Sequence, residues 1–331
     1  MLTGTGQRYR RFADVEARGR SPLYERWARA IAGDPGVLAF LATLPEPKRQ
    51  PNLLFAAVRH LVGLPGSYAG LRAAVLERPA ELTDVVLSRR TQTNEPARCA
   101  TLLPALAALP QPLALLEVGA SAGLTLLPDR YRYDYDGHTL TNGDPGAPVL
   151  RCRPVGPVPV PAELPRVVWR AGLDLNPLDV TDPDDLAWLG CLVWPGEHGR
   201  QERLAAAAAV ARRDPPRIVR GDLVDDLPAL AAQAPSDATL VVFHSAVLHY
   251  VDPDRRREFA DAVGHLGAVW LSNEAPGVLT DLRDAPAPRA GTDAFLLVRD
   301  GRTPLAFTDG HGTWVEWVAD RPGRPEPGVR N

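Results

Sequence analysis

Residues 113–127 read LALLEVGASAGLTLL. A short continuous apolar run bounded by turn signals predicts a strand buried on both faces, as in a parallel sheet. The run ends at an acid, Glu117, and passes into Gly119-Ala120-Ser121-Ala122-Gly123, where glycines and small side chains predict a turn too tight for bulkier residues. A strand that ends in a carboxylate and turns into a helix offers a ligand the backbone N–H groups of the helix N-terminus. The expectation is a turn that holds a nucleotide-like molecule.

Two motif readings compete for these residues besides a bare strand-turn-helix with no ligand. A dinucleotide fingerprint, G-x-G-x-x-G, needs a third glycine where Leu124 stands. The string also fits G-x-S-x-G, a nucleophile elbow with Ser121 as the nucleophile. An elbow follows several strands and an oxyanion loop, whereas the first 110 residues show helical periodicity and no such segment.

Composition narrows the classes. The 331 residues hold 37 Lys and Arg against 40 Asp and Glu, a net charge of −3 with mixed signs, so no basic face for nucleic acid is expected. Cys99, Cys152 and Cys191 form no C-x-x-C pair, which argues against a disulfide framework or a zinc knuckle, and no metal is expected. The start, MLTGTGQRYRRF, has no apolar signal core, and no run reaches the length of a membrane span. A cytoplasmic protein with a small-molecule ligand, and neither nucleic acid nor membrane as partner, is the expectation.

Apolar residues recur at helical spacing over 21–44, 52–62, 68–76, 82–87 and 97–109, punctuated by Pro and Gly, so residues 1–110 read as an all-helical lid or substrate module. Pro110-Gln111-Pro112 marks a boundary. Beyond it, Tyr131, Tyr133 and Tyr135 alternate with charges before Asp136-Gly137, a hairpin signal, and a proline-rich connector runs over 154–161. Strands at 167–170, 217–220, 239–243 and 268–271 alternate with helices after Asp182, over 197–212 and after Asp252, before three closing strands over 295–318. Residues 111–319 therefore read as an α/β domain with a doubly wound sheet, and 320–331 as a disordered tail.

Acids or histidines follow four strands in order: Glu117, then Asp174 in Gly172-Leu173-Asp174, then Asp222 after Gly221, then the His244–His249 segment. In this order they resemble class I S-adenosylmethionine-dependent methyltransferases, with their Rossmann-like doubly wound sheet. The whole chain resembles an uncharacterised bacterial family, a domain of unknown function, through SPLYERWA, RTQTNEPARC, LLEVGASAGL, DRYRYDYDG, GLDLNPLDVTDP and VVFHSAVLHYV. The methyltransferase resemblance implies that Glu117, Gly119, Ser121 and Gly123 hold the methionine part of S-adenosylmethionine. It further implies that Asp174 accepts the ribose hydroxyls, and that Asp222 accepts the adenine amine with Leu223 on the ring. Asp174 lies far beyond the usual spacing, which makes the tyrosine hairpin an insertion, and Pro128 interrupts the helix expected after Gly123.

Methyl transfer needs a base only when the acceptor arrives protonated; His244 and His249 are the candidates, with Glu274 beside them, and His244 also counts among the cofactor contacts. Asn94, Glu95, Arg98, Tyr250 and Asn273 are candidates for the acceptor, and Trp194 and His198 for a pocket rim. Each has a plainer alternative: a helix cap for an acid after a strand, a carbonyl partner for His249, packing for Tyr250, a turn for Asn273-Glu274 and a surface ion pair for Arg98. Rival functions are a non-methylating use of the same cofactor, a non-catalytic ligand-binding protein, and a serine hydrolase through Ser121.

Overall fold

Proline is the first residue of six α-helices among the described residues, where its missing N–H costs nothing and its fixed φ suits the helix. α1 (Gly4–Arg11) runs into a π-helical turn at Phe12–Ala17. α2 (Pro22–Ile31), α3 (Pro35–Thr43), α4 (Pro51–Val62), α5 (Tyr68–Glu77) and α6 (Pro79–Ser88) follow. Then come α7 (Arg98–Ala107), α8 (Pro183–Leu192), α9 (His198–Ala211), α10 (Leu227–Ala231) and α11 (Pro253–His265). The structure is a computed structural model that describes residues 4–92, 94–279 and 294–318. The tail expected at 320–331 lies outside the described residues.

The chain divides into two units, Met1–Thr93 with Leu178–Ala205, and Asn94–Pro177 with Ala206–Asn331. This differs from a division at 110/111. α7 is buried from Arg98 to Leu106, on every face, and a helix without a polar face belongs inside a core, here that of the sheet. The segment carrying α8 joins the helices instead, through Arg89 paired with Asp184 and Asp185 and through the Trp188 indole donating to Arg90 O at 3.0 Å.

In the helical unit, α2 buries Tyr24, Trp27, Ala28 and Ile31, the spacing of one helix face. Tyr24 and Trp27 meet Phe55 of α4 with ring centroids 4.7 and 5.4 Å apart. Asp34 caps α3 by accepting from Gly36 and Val37 N–H, and takes Tyr68 Oη and Arg72 Nε as well, which joins α3 to α5. Arg59 donates to the carbonyls of Cys191 and Val193 at 2.7 and 2.6 Å, satisfying orphan acceptors at the end of α8.

The sheet unit carries β1 (Leu113–Val118), β2 (Arg132–Tyr135), β3 (His138–Leu140), β4 (Val149–Arg151), β5 (Arg153–Pro154), β6 (Val167–Asp174) and β7 (Arg217–Arg220). β8 (Thr239–Ser245), β9 (Val269–Glu274), β10 (Ala294–Arg299), β11 (Thr303–Asp309) and β12 (Trp314–Trp317) complete it. Nine strands form one mostly parallel sheet in the order β5-β12-β11-β10-β9-β8-β1-β6-β7. β7, β6, β1, β8 and β9 are mutually parallel, and β10 to β12 form an antiparallel run. On one face, Leu116, Val118, Leu173 and Val242 pack with Leu227 of α10, Phe259 and Val263 of α11, and Trp270. Burying an aromatic or leucine side chain there contributes roughly 1.5–3 kcal/mol.

The helix expected after Gly123 is absent. Two 3-10 turns, Leu124–Leu126 and Pro128–Arg130, take its place. Pro128 explains this, because a proline ring in a helix strikes the carbonyl four residues back and supplies no N–H. Carbonyls that a helix would have used find side chains instead. Tyr131 Oη donates to Leu124 O at 2.7 Å, Tyr133 Oη to Pro128 O at 2.6 Å, and an Arg170 guanidinium N–H to Leu126 O at 3.1 Å. Tyr135 Oη reaches Ala100 O of α7 at 2.6 Å. The tyrosine strand thus braces the turn, with β2 set between β3, antiparallel, and β4, parallel, in a separate three-stranded sheet.

Candidate functional site

Chain order leads from β1 outward through β6 and β7, then jumps to β8 on the other side, so the winding reverses between β1 and β8. In open α/β sheets ligands lie in the crevice outside the carboxyl ends of the strands at such a reversal. Gly119, just past β1, has φ +71°, and a Cβ there would stand 2.4 Å from Val247 Cγ2. Gly123 has the same φ, and its Cβ would stand 2.7 Å from Ile218 Cδ1 and Pro216 Cγ. Only glycine lets this turn press against the loop after β8 on one side and the start of β7 on the other.

Most donors of the turn are spent within the protein. Gly119 and Ala120 N–H both donate to Leu173 O, at 2.8 and 3.1 Å, and Gly123 N–H donates to Ala120 O at 2.7 Å. Ser121 N–H donates to Asp174 Oδ2 at 2.8 Å, while Asp174 Oδ1 accepts from Asn176 N–H at 2.7 Å. Leu124 N–H donates to Asn94 Oδ1, and Asn94 Nδ2 returns a bond to Ala120 O. The expected cradle of free N–H groups at a helix N-terminus is therefore corrected: this is a turn clamped by two side chains. Asn94 is a clamp rather than a lid contact. Asp174 keeps two of a carboxylate's four acceptor directions.

Glu117 is buried at the end of β1, between Gly172 of β6 and Phe243 of β8. Its Oε1 accepts the Thr125 hydroxyl, and its Oε2, also buried, has no hydrogen-bond partner among the described residues. Burial pushes this carboxyl up to about 8, against the Thr125 hydrogen bond and the positive charge of Arg98, with the charge of Asp174 adding to the rise. Ser121, at φ +52°, is also buried, and its Oγ has no partner among the described residues. The site thus holds two buried oxygens with unmet hydrogen-bonding capacity.

A second group stands at the ends of β8 and β9. Glu274 Oε1 accepts from His244 Nδ1 at 2.8 Å, from Val247 N–H at 2.8 Å and from Leu248 N–H at 3.0 Å. His244 Nε2 accepts the Trp270 indole N–H at 3.0 Å, which assigns the His244 proton to Nδ1. Both nitrogens of this fully buried ring are occupied, which corrects His244 as a base or cofactor contact: it positions Glu274. Burial alone would raise the Glu274 carboxyl, but His244, His249 and the Leu248 N–H outweigh it and hold the group well below the usual range. Glu274 Oε2 has no hydrogen bond among the described residues and lies 3.8 Å from His249 Nδ1. His249 sits on a 3-10 turn, not in a helix, with 39 % of its side chain exposed and the Tyr250 ring 3.6 Å away.

Other expected site residues have different work. Asn273 is buried, its Nδ2 donating to Ser245 Oγ and its Oδ1 accepting from Thr308 Oγ1, so it ties β9 to β8 and β11. Arg98 is buried, not on the surface, and donates to Ser245 O and Gly310 O, both at 2.9 Å. Glu95 is buried too and accepts from Ala97 N–H. Asp222 Oδ1 accepts from Val224 and Asp225 N–H and pairs with Arg255. Burial would raise Asp222, but these partners pull it below its ordinary value. Leu223 belongs to the core beside Leu227 rather than to a ligand face. Tyr250 is 77 % exposed. Trp194 packs among Phe12 and Tyr24 in the helical unit, which also holds His198. Thr125 and Trp270 are not among the residues that the sequence motifs single out, although alternation along β9 puts Trp270 on the same face as Glu274. A hollow of about 690 Å³ flanks α11 between Arg256, His265, Asp300 and Arg302, and none of Glu117, Asp174, His249 or Glu274 lines it.

A family model described as uncharacterized proteins conserved in bacteria, DUF2332, matches residues 6–317. The chain belongs to this family. No curated protein and no solved structure matches it. The DUF2332 match spans every site residue from Asn94 to Glu274. Among the described residues of this DUF2332 protein, no group of three or more His, Cys, Asp or Glu could hold a metal ion, and no helix is long and apolar enough to cross a membrane.

Proposed function

We propose that this DUF2332 protein binds S-adenosylmethionine in the crevice between β1 and β8 and transfers its methyl group to a small molecule. The observation that carries the reading is Glu117 Oε2, a buried carboxyl oxygen without a partner among the described residues, at the point where the sheet's winding reverses. A buried acid in that state calls for a cation or a donor, and the α-ammonium of an amino acid supplies both. Other residues fit the same ligand. Asp174 retains acceptor directions for two hydroxyls, and Asp222 Oδ2 accepts nothing among the described residues.

When bound, the sulfonium supplies an already activated methyl carbon. The protein's own part is then alignment and exclusion of water, effects that together contribute up to about 7–11 kcal/mol in favourable cases. Calorimetry with S-adenosylmethionine and S-adenosylhomocysteine, on wild type and Glu117→Gln, tests this. Micromolar binding that weakens at least tenfold in the variant supports the reading, and no heat from wild type at millimolar ligand overturns it. Product analysis then separates methyl transfer, which leaves S-adenosylhomocysteine, from a non-methylating outcome that leaves methylthioadenosine. Binding without any turnover points to a sensor. The hydrolase reading has little support, because Ser121 Oγ is buried and bonded to no described histidine, and a fluorophosphonate probe is expected to leave Ser121 unlabelled.

A further inference from the structure

We infer that His249 is the proton acceptor of this site, positioned through Glu274 by the buried pair His244 and Trp270, and that the substrate is a hydroxyl or ammonium compound whose nucleophile arrives protonated. The inference rests on the transferase reading only for the electrophile.

Four groups stand in series. Trp270 Nε1–H donates to His244 Nε2, His244 Nδ1–H donates to Glu274 Oε1, and Glu274 Oε2 faces His249 Nδ1. The Phe259 edge, 5.6 Å from the His244 ring, fixes the plane of the inner histidine. A capping role accounts for Oε1 alone, which already holds the loop N–H groups of Val247 and Leu248. It does not account for Oε2, buried beside an imidazole and without a hydrogen bond among the described residues. A carboxylate behind an imidazole orients the ring and stabilises the cation that proton transfer creates. The separation of 3.8 Å is loose for a hydrogen bond, as is common in catalytic groups before a ligand is bound. Nε2 of His249, on the opposite side of the ring, has no hydrogen bond among the described residues, and the ring is exposed at the carboxyl end of the sheet where a substrate enters.

The bonds balance as follows. The O–H or N–H bond of the substrate breaks and its proton passes to His249 Nε2. The electron pair left behind forms the bond to the transferred carbon, whose bond to sulfur breaks with its pair remaining on sulfur.

Diethyl pyrocarbonate, which carbethoxylates unprotonated imidazole nitrogen, tests this on the full chain without any cofactor. Modification of each histidine is followed by mass spectrometry in wild type, Glu274→Gln and Trp270→Phe at about pH 8.5, well above the ordinary imidazole range, so that the rates compare the nucleophilicity of unprotonated rings. His249 is expected to react several-fold faster than the exposed His198 and His265, His244 not at all, and both variants to bring His249 toward the rate of His198. A wild-type His249 no faster than His198 overturns the inference, and that comparison needs no variant to fold. An unchanged His249 rate in folded Glu274→Gln overturns it as well. Binding of S-adenosylmethionine with an unreactive His249 leaves the transferase reading standing and this inference fallen. A reactive His249 without that binding does the reverse.

Discussion

Asp174 Oδ2 accepts the Ser121 N–H at 2.8 Å, so the acid that ends β6 holds the turn that follows β1. Removing that carboxylate in Asp174→Ala leaves the Ser121 and Asn176 N–H groups without their acceptor, and a loss of about 1–3 kcal/mol is expected in urea unfolding. Asp174→Asn keeps one acceptor and should lose less. Equal stability of Asp174→Ala and wild type would show that the turn does not depend on this acid. Loss of ligand in Asp174→Ala would therefore report a collapsed turn as readily as a lost contact, which makes Glu117→Gln the cleaner probe.

The Glu117 carboxyl makes stability depend on pH. Its ordinary value is 4.5 and its folded value about 8, raised by burial against Thr125 and Arg98, so the folded chain holds the proton more tightly than the unfolded one. The stabilising contribution is complete below about pH 4.5 and is lost as pH rises through about 8. Wild-type unfolding free energy should fall across that window relative to Glu117→Gln, which has no such proton. Parallel pH profiles for the two proteins would contradict this account.

A cation that takes up Glu117 Oε2 must displace the proton. Calorimetry with S-adenosylmethionine near pH 7, repeated in buffers of different ionisation enthalpy, should register proton release, reduced in Glu117→Gln. Binding with no buffer dependence in wild type would mean that the ammonium lies elsewhere.

Tyr131→Phe removes the donor to Leu124 O, and Tyr135→Phe the donor to Ala100 O, each among buried groups. Each variant should lose about 1–3 kcal/mol, because a buried carbonyl left unsatisfied costs its desolvation. Thermal unfolding within experimental error of wild type would show that water replaces the hydroxyl.

Gly119→Ala places a methyl group 2.4 Å from Val247 in a backbone region that costs a non-glycine residue about 1–2 kcal/mol. Val247 must move, and with it the loop that Glu274 holds. Lower stability than wild type and loss of ligand heat are expected together, and unchanged unfolding would show that the turn relaxes freely.

Local patterns carried much of this architecture. The apolar run before Glu117 predicts β1, alternating tyrosines predict the hairpin, and prolines place the helix starts. Pro128 signals an interruption of the helix expected after Gly123, and two 3-10 turns stand there instead. What sequence did not disclose lies in long-range pairing. Asn94 clamps a turn 26 and 30 residues away, and Arg98 bonds carbonyls 147 and 212 residues away, distances at which no periodicity survives. His244 stands near the end of β8, where a catalytic base would, but Trp270 and Glu274, 26 and 30 residues on, occupy both its nitrogens. α8 reads as part of an alternating series, and long-range contacts of Arg59, Arg89 and Trp188 reveal that it belongs with the helices.

The two-residue strand β5 has a consequence for how the molecule meets other chains. It covers β12, and its second residue, Pro154, offers no N–H to a newcomer. At the opposite border β7 is four residues long with an exposed arginine at each end. An added extended segment therefore meets a proline at one border of the nine-stranded sheet and flanking positive charges at the other, both of them features that disfavour edge-to-edge growth.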